Sequence, residues 1–185
     1  HNYELSFPTI ATINGQTLHN HDHSHLIKSG DMLLLDAGAE TEMGYAGDMS
    51  STIPADKKFT QRQKDVYDIQ VAAHEAAVAA LRPGIKFVDV YEQACIVIMQ
   101  GMKDLGFAKG DPVEAVKAGA HAMFMPCGLG HMMGLDVHDM ENLGEEYVGY
   151  NGKPKSSQFG RKSLRLGREL EPGFVLTIEP GVYFI

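Results

Sequence analysis

The chain has 185 residues, of which 44% are apolar and 22% charged, as in a soluble globular domain with a core of its own. Its formal net charge of −8 argues against binding nucleic acid or an anionic membrane through bulk electrostatics. No apolar run approaches the roughly 20 residues that a membrane-spanning helix needs. Cys95 and Cys127 are too few for a disulfide framework, which favours a reducing compartment, and the cytoplasm is the expected location.

The N-terminal part predicts a strand and then a polar loop. Residues 5–13 (LSFPTIATI) are rich in β-formers, and Asn14-Gly15 follows them as a turn signal. Residues 19–25 (HNHDHSH) then alternate histidine with small polar residues. This alternation predicts a solvated loop with casual metal affinity.

Two further strands are predicted as an antiparallel hairpin. Residues 32–38 (MLLLDAG) form a short apolar run that suits a buried strand with Asp36 at its end. Residues 43–53 (MGYAGDMSSTI) predict its partner strand, with Asp48 inside it. The polar residues between the two strands predict the connecting loop.

Helices follow the hairpin. Thr60 and Gln63 have the spacing of a capping box, and Pro83-Gly84 predicts the end of the helix that begins there. Apolar residues with helical spacing lie between these signals and again in a second helix that ends near Gly106. Residues 111–121 predict a short third helix. The apolar positions are Val66, Ile69, Ala73, Ala76, Ala77 and Ala80 in the first helix and Tyr91, Ala94, Cys95, Ile98, Met102 and Leu105 in the second.

The C-terminal part predicts a loop and a return to strands. Residues 149–163 are polar and predict a surface loop. Residues 174–179 (FVLTIE) predict a strand, which Pro180-Gly181 interrupts before VYFI continues it. Strands, then helices, then strands again indicate an α+β fold.

Three acidic residues stand where apolar neighbours predict burial. Asp36 follows three leucines, Asp48 lies among small residues of a strand, and Glu179 ends an apolar strand. The glycine-rich stretch GLGHMMGLDVHD adds two histidines, His131 and His138. A buried carboxylate must be paired, protonated or bound to a cation, and carboxylates with imidazoles suit Mn²⁺, Fe²⁺, Co²⁺ or Zn²⁺. Several carboxylates in one site favour two metal ions, typically ~3.5–4 Å apart.

Each candidate also has a structural interpretation when it is taken alone. Any one of the acids fits a strand-end residue or a turn cap, and His131 fits a packed core histidine. His138 with Asp139 fits a local hydrogen-bonded pair, and Cys127 has no partner that supports it as a nucleophile. The metal hypothesis therefore depends on these positions as a set.

Four stretches in order, LLLDAG, GYAGDMSST, GLGHMMGLDVHD and TIEPGVY, resemble the metallopeptidases of the pita-bread fold. This family comprises Xaa-Pro aminopeptidases (aminopeptidase P), prolidases and methionine aminopeptidases, and GLDVHD is closer to the proline-specific members. The resemblance implies the creatinase/aminopeptidase fold, a curved antiparallel sheet covered by helices. It also implies that residues 1–185 are a partial catalytic domain truncated at both ends, without the N-terminal domain and the C-terminal end.

The resemblance also assigns metal ligands by position. It implies that Asp36 binds one metal ion, that Asp48 bridges both, and that His131 is the only histidine ligand. Glu179 matches a glutamate ligand that also helps to move the proton of the attacking water.

The same resemblance implies which residues meet the substrate. His138 matches a catalytic histidine that contacts the substrate carbonyl, and His19 matches a further catalytic histidine that lines the substrate site. Cys127 belongs to the expected substrate pocket, where the family usually has histidine. The implied cofactor is a pair of divalent metal ions, with Mn favoured and Co or Zn as alternatives.

The implied activity is hydrolysis of the Xaa-Pro bond at the N-terminus of a peptide by a hydroxide held between the two metal ions. The expected partner is a peptide with proline at its second position, and a homodimer is expected for the full-length protein. The family's last bridging glutamate is not among these residues, so they alone are expected to have little or no activity. The sequence does not distinguish an aminopeptidase from a dipeptidase. The alternative functions are a non-catalytic pita-bread module that binds peptides or partners and a metal-free relative such as a creatinase.

Overall fold

The computed structural model describes residues 4–185, and its N-terminal part is a three-stranded antiparallel sheet. Strands β1 (Ile10–Thr12), β2 (Met32–Ala37) and β3 (Met49–Pro54) are neighbours in that order. The predicted hairpin of β2 and β3 is confirmed, with Asp36 paired to Ser50. Two details differ from prediction: β1 has only three residues, and Asp48 comes just before β3 and not within it.

Two long helices follow, α1 (Gln61–Ala80) and α2 (Phe87–Asp104). The predicted capping box is confirmed, because Thr60 Oγ1 accepts the Gln63 N–H at 3.3 Å and Gln63 Oε1 accepts the Thr60 N–H at 2.8 Å. The helices pack closely at Gly101, where an added Cβ would lie 2.6 Å from Ile69 Cγ1. A glycine here lets α1 approach α2.

The core is built around α2, whose apolar residues repeat at helical spacing and face inward. Ala73 and Ala77 of α1 and several leucines of the C-terminal part belong to the same buried cluster. The buried residues of α2 are Phe87, Val90, Tyr91, Ala94, Cys95, Ile98, Met99 and Met102. Within residues 4–185, no helix combines the length and apolar character needed to cross a bilayer.

The segment after α2 contains more helix than the sequence predicts. The expected short helix is present as α3 (Pro112–Lys117), followed by a 3₁₀ helix at Ala120–Met123. A further helix, α4 (Glu145–Tyr150), begins before the predicted surface loop of residues 149–163, and a 3₁₀ turn spans Arg161–Ser163. Helices this short carry too few apolar repeats to be recognised from periodicity.

The predicted C-terminal strand is replaced by an irregular backbone ladder. Residues 174–179 form no regular strand, but they run antiparallel beside residues 129–133, with one bridge between Met132 and Leu176. The Thr177 N–H donates to the His131 carbonyl at 2.9 Å. The Glu179 N–H donates to the Leu129 carbonyl at 2.8 Å. This ladder brings two sequence-distant motifs together.

Candidate metal centre

Three of the four predicted ligands converge in one small volume. Asp48, His131 and Glu179 each offer a donor atom, and these atoms all lie within 4.8 Å of one another. His131 Nε2 is 3.3 Å from Asp48 Oδ2 and 3.2 Å from Glu179 Oε1. The His131 side chain is 5% exposed and that of Glu179 43%, so the cluster has a buried side and a side open to solvent.

The backbone ladder explains this convergence. Gly130 makes it possible, because a methyl group added there would overlap the carbonyl oxygen of Thr177. On the other side, the Ala46 N–H donates to the Gly134 carbonyl at 2.8 Å. The chain just before Asp48 is thus attached to the stretch that carries His131.

The ring of His131 is oriented by the backbone. Its Nδ1 lies 2.8 Å from the Met132 carbonyl oxygen, which can only accept, so Nδ1 carries a proton and Nε2 faces the carboxylates. Burial opposes protonation, but the carboxylates of Asp48 and Glu179 accept hydrogen bonds from the protonated ring, which outweighs burial and raises the pKa of His131 to about 10. A positive charge is thus favoured between these acids, and a divalent cation satisfies the same requirement.

Asp36, the fourth predicted ligand, lies near Asp48 and Glu179 but is not one of the three residues whose donor atoms converge. Its Oδ1 is buried and has no hydrogen-bond partner among the described residues. Burial raises the pKa of Asp36, whereas a hydrogen bond with Ser50 lowers it. The negative charges of Asp48 and Glu179 raise this pKa further. A buried carboxylate oxygen without a donor fits a site that a cation completes.

His138 contacts His131 but has the opposite electrostatics. The two ring centroids are 4.2 Å apart at an interplanar angle of 67°. Burial lowers the pKa of His138 to about 4, and the positive charges of His131 and Arg165 contribute. His138 is therefore neutral at pH 7, when one ring nitrogen can donate a hydrogen bond and the other can accept one.

Sequence reasoning missed an ion pair beside His138. Arg165 Nη1 contacts Glu141 Oε2 at 2.6 Å, and the same oxygen is 3.7 Å from His138 Nδ1. The second distance is too long for a hydrogen bond. No local pattern identifies this pair, because the chain path between Glu141 and Arg165 brings them together.

The other two predicted site residues differ in their placement. Burial and the charge of Glu179 raise the pKa of Cys127 to about 11, although a hydrogen bond with Tyr183 lowers it. Because the charge of Glu179 acts on this thiol, Cys127 lies near the cluster. His19 is exposed and has a left-handed backbone with φ of 54°. His19 is not part of the three-residue group found among residues 4–185, and its role stays a prediction.

Comparisons with known proteins assign the chain to a family. The family model described as metallopeptidase family M24 matches residues 1–185. The chain is 38% identical over 182 residues to an Xaa-Pro aminopeptidase of Escherichia coli strain K12, covering 96% of this chain and 37% of the relative. It is 38% identical over 159 residues to a Homo sapiens Xaa-Pro dipeptidase, covering 86% of this chain and 31% of the relative.

Solved structures show the same likeness. Zn-substituted E. coli aminopeptidase P in complex with product matches with a TM-score of 0.80 and 38% identity, over 97% of this chain and 37% of that one. Proline aminopeptidase P II from Yersinia pestis matches with a TM-score of 0.80 and 39% identity, over the same shares. The chain thus spans about a third of the length of these relatives.

Proposed function

The chain belongs to metallopeptidase family M24 and has part of the pita-bread fold of aminopeptidase P, and from this premise we propose a function for the site. The proposal is a metal-dependent exopeptidase that cleaves the Xaa-Pro bond at the N-terminus of peptides. The convergence of Asp48, His131 and Glu179 is the observation that carries it. The likeness to an Xaa-Pro aminopeptidase and an Xaa-Pro dipeptidase supports the substrate class.

The donor set fits divalent metal ions. Three carboxylates and one imidazole, from Asp36, Asp48, Glu179 and His131, are ligands that Mn²⁺, Co²⁺ or Zn²⁺ accept, and Mn²⁺ is the proposed ion. The Oδ1 of Asp36, which has no hydrogen-bond partner within residues 4–185, supports a cation in this place. Two such ions, when bound, supply Lewis-acid activation of water and of a carbonyl group.

The chain's own residues supply proton transfer and hydrogen bonding. Glu179 faces solvent on one side of the cluster, so its carboxylate can accept a proton from the attacking water and return it to the leaving nitrogen. Neutral His138 can donate a hydrogen bond to the oxygen of the scissile carbonyl as negative charge develops there. Cys127 and His19 are proposed to line the substrate pocket.

An activity assay of the protein that contains this chain tests the proposal. A Gly-Pro-containing peptide and Mn²⁺ are supplied, with and without a chelator. We expect the N-terminal residue to be released. This activity should be lost when the chelator is added and in the His131→Ala variant. His74→Ala is the matched control, because His74 is exposed on α1 and should leave activity unchanged. Cleavage that survives the chelator would contradict the proposal.

The metal content of the 185 residues alone is a separate question. We expect one Mn²⁺ to bind and a second to bind weakly, with little or no hydrolysis. Calorimetric titration measures both sites, and two tight sites would contradict the expectation.

Metal binding without hydrolysis by the complete protein would favour the non-catalytic binding module. A homodimer and a cytoplasmic location stay predictions.

A further inference from the structure

The hydroxyl of Thr177 lies between two members of the cluster. It accepts the backbone N–H of His131 at 3.0 Å and donates to Glu179 Oε1 at 2.7 Å. The direction of these bonds is unambiguous, because an N–H only donates and an ionised carboxylate only accepts. The single proton of the hydroxyl is therefore directed at Glu179.

The oxygen that Thr177 contacts is the one that faces the imidazole. Glu179 Oε1 is 2.7 Å from Thr177 Oγ1 and 3.2 Å from His131 Nε2. The Glu179 side chain is 43% exposed and has several rotatable bonds, so burial alone does not determine its direction. The Thr177 hydroxyl restrains the carboxylate on the cluster side.

Thr177 is itself held in place. Its backbone N–H bonds the His131 carbonyl at 2.9 Å, and the absence of a side chain at Gly130 leaves room for its hydroxyl. A Cβ at Gly130 would lie 2.9 Å from Thr177 Oγ1. A β-branched side chain also has few χ1 rotamers, so the hydroxyl does not move freely.

We propose that Thr177 is a positioning residue that orients the Glu179 carboxylate for metal binding and thereby sets the metal affinity of the site. This inference rests on the proposed function, since it assumes that Glu179 is a ligand. Groups that hydrogen-bond a metal ligand typically change metal affinity by about 10–100-fold when they are removed.

Mn²⁺ titration of the wild-type protein, Thr177→Val and Thr177→Ser tests the inference by calorimetry, independently of activity. Valine keeps the shape but lacks the hydroxyl, so its Kd for Mn²⁺ should rise about 10–100-fold. Serine keeps the hydroxyl and should bind within about threefold of wild type, because the hydrogen bond to Glu179 is retained. An affinity of Thr177→Val for Mn²⁺ equal to that of the wild type would overturn this inference but not the proposed function. Failure of the wild type to bind Mn²⁺ would overturn the proposed function and the inference with it.

A second background distinguishes positioning from a general structural effect. In Glu179→Ala, Thr177 has no carboxylate to orient, so adding Thr177→Val should not weaken Mn²⁺ binding further. The same loss in both backgrounds would overturn the inference. Circular dichroism checks the fold of each variant without metal. Should Thr177→Val not fold, Thr177→Ala replaces it as the variant without the hydroxyl.

Discussion

Two adjacent histidine rings show how strongly the surroundings of one residue determine its charge. His131 lies between two carboxylates and has its pKa raised to about 10, whereas burial lowers the pKa of His138 to about 4. Their ring centroids are only 4.2 Å apart. Opposite shifts in neighbouring groups are typical of sites that divide chemical roles, and in the proposed function His131 binds the cation while His138 donates a hydrogen bond.

A third histidine predicts a pH dependence of stability. His121 is fully buried, and its Nε2 is 2.8 Å from Tyr91 Oη. Burial and the Arg161 guanidinium lower the pKa of His121 to about 4, below its value of 6.5 in the unfolded chain. The neutral ring therefore contributes fully above pH 6.5, and its contribution is lost as the pH falls toward 4.

We expect this loss to be on the order of 2 kcal/mol between pH 7 and pH 5. Urea unfolding of the wild type and His121→Gln at both pH values measures it. Glutamine keeps a polar partner for Tyr91 but does not titrate, so its free energy of unfolding should change less with pH. Equal changes in the two proteins would show that His121 contributes nothing to the dependence.

The two thiols are expected to react slowly in the folded protein. Burial raises the pKa of Cys95 to about 12 and that of Cys127 to about 11, so little reactive thiolate forms at pH 8. A colorimetric thiol reagent should react quickly with both cysteines only in denaturant. A reaction in the native protein that is as fast as in denaturant would contradict this expectation. If Cys127→Ser abolishes that fast reaction, the reactive thiol is Cys127.

At the scale of elements, the backbone ladder between residues 129–133 and 174–179 assembles the cluster. It aligns His131 with Thr177 and brings Glu179 beside Asp48, and it depends on the absence of a side chain at Gly130. The sheet contributes Asp36 on β2 and Asp48 just before β3. The site thus lies where the sheet meets this ladder.

Gly130→Ala is expected to separate the two segments of the ladder. The added methyl group would overlap the Thr177 carbonyl, which should destabilise the fold by about 1–3 kcal/mol and weaken Mn²⁺ binding at least about tenfold. Thermal unfolding and calorimetry measure the two effects. Unchanged Mn²⁺ affinity in a folded variant would show that the ladder does not position the ligands.

Gly101→Ala is the matched control at a distance from the site. Its Cβ would lie 2.6 Å from Ile69 Cγ1, so it should lower stability by separating α1 and α2. Its Mn²⁺ affinity should remain that of the wild type, because neither helix supplies a residue to the cluster.

At the scale of the whole molecule, metal binding should stabilise the fold. The net charge is −8, and Asp36 is close enough to Asp48 and Glu179 for their carboxylates to disfavour its ionisation. A ligand at about 100 times its Kd adds about 2.7 kcal/mol to the free energy of unfolding. For a chain of this size that raises the unfolding midpoint by roughly 5–10 °C.

Differential scanning calorimetry with Mn²⁺, before and after a chelator, measures this shift. It should disappear in His131→Ala and persist in His74→Ala, where the exposed ring on α1 is removed instead. A shift of the same size in His131→Ala would show that Mn²⁺ stabilises the protein from another site.

The sequence by itself determined the elements that depend on short-range physics. Helical periodicity and the capping box at Thr60 predict α1, and apolar repeats predict α2, because each signal involves residues three or four positions apart. The β2–β3 hairpin follows from a short apolar run, a polar loop and a second strand-like stretch. The four ordered motifs also identified the family, which the match to residues 1–185 confirmed.

Only the tertiary structure decided how the predicted residues meet. It brings Asp48, His131 and Glu179 within one small volume, leaves Asp36 beside them, and replaces a predicted strand by an irregular ladder. It also supplies Thr177 as a hydrogen-bonding partner of Glu179. These contacts join residues far apart in the chain, so they depend on the path of the whole backbone and on close approaches such as that at Gly130, which no local pattern encodes.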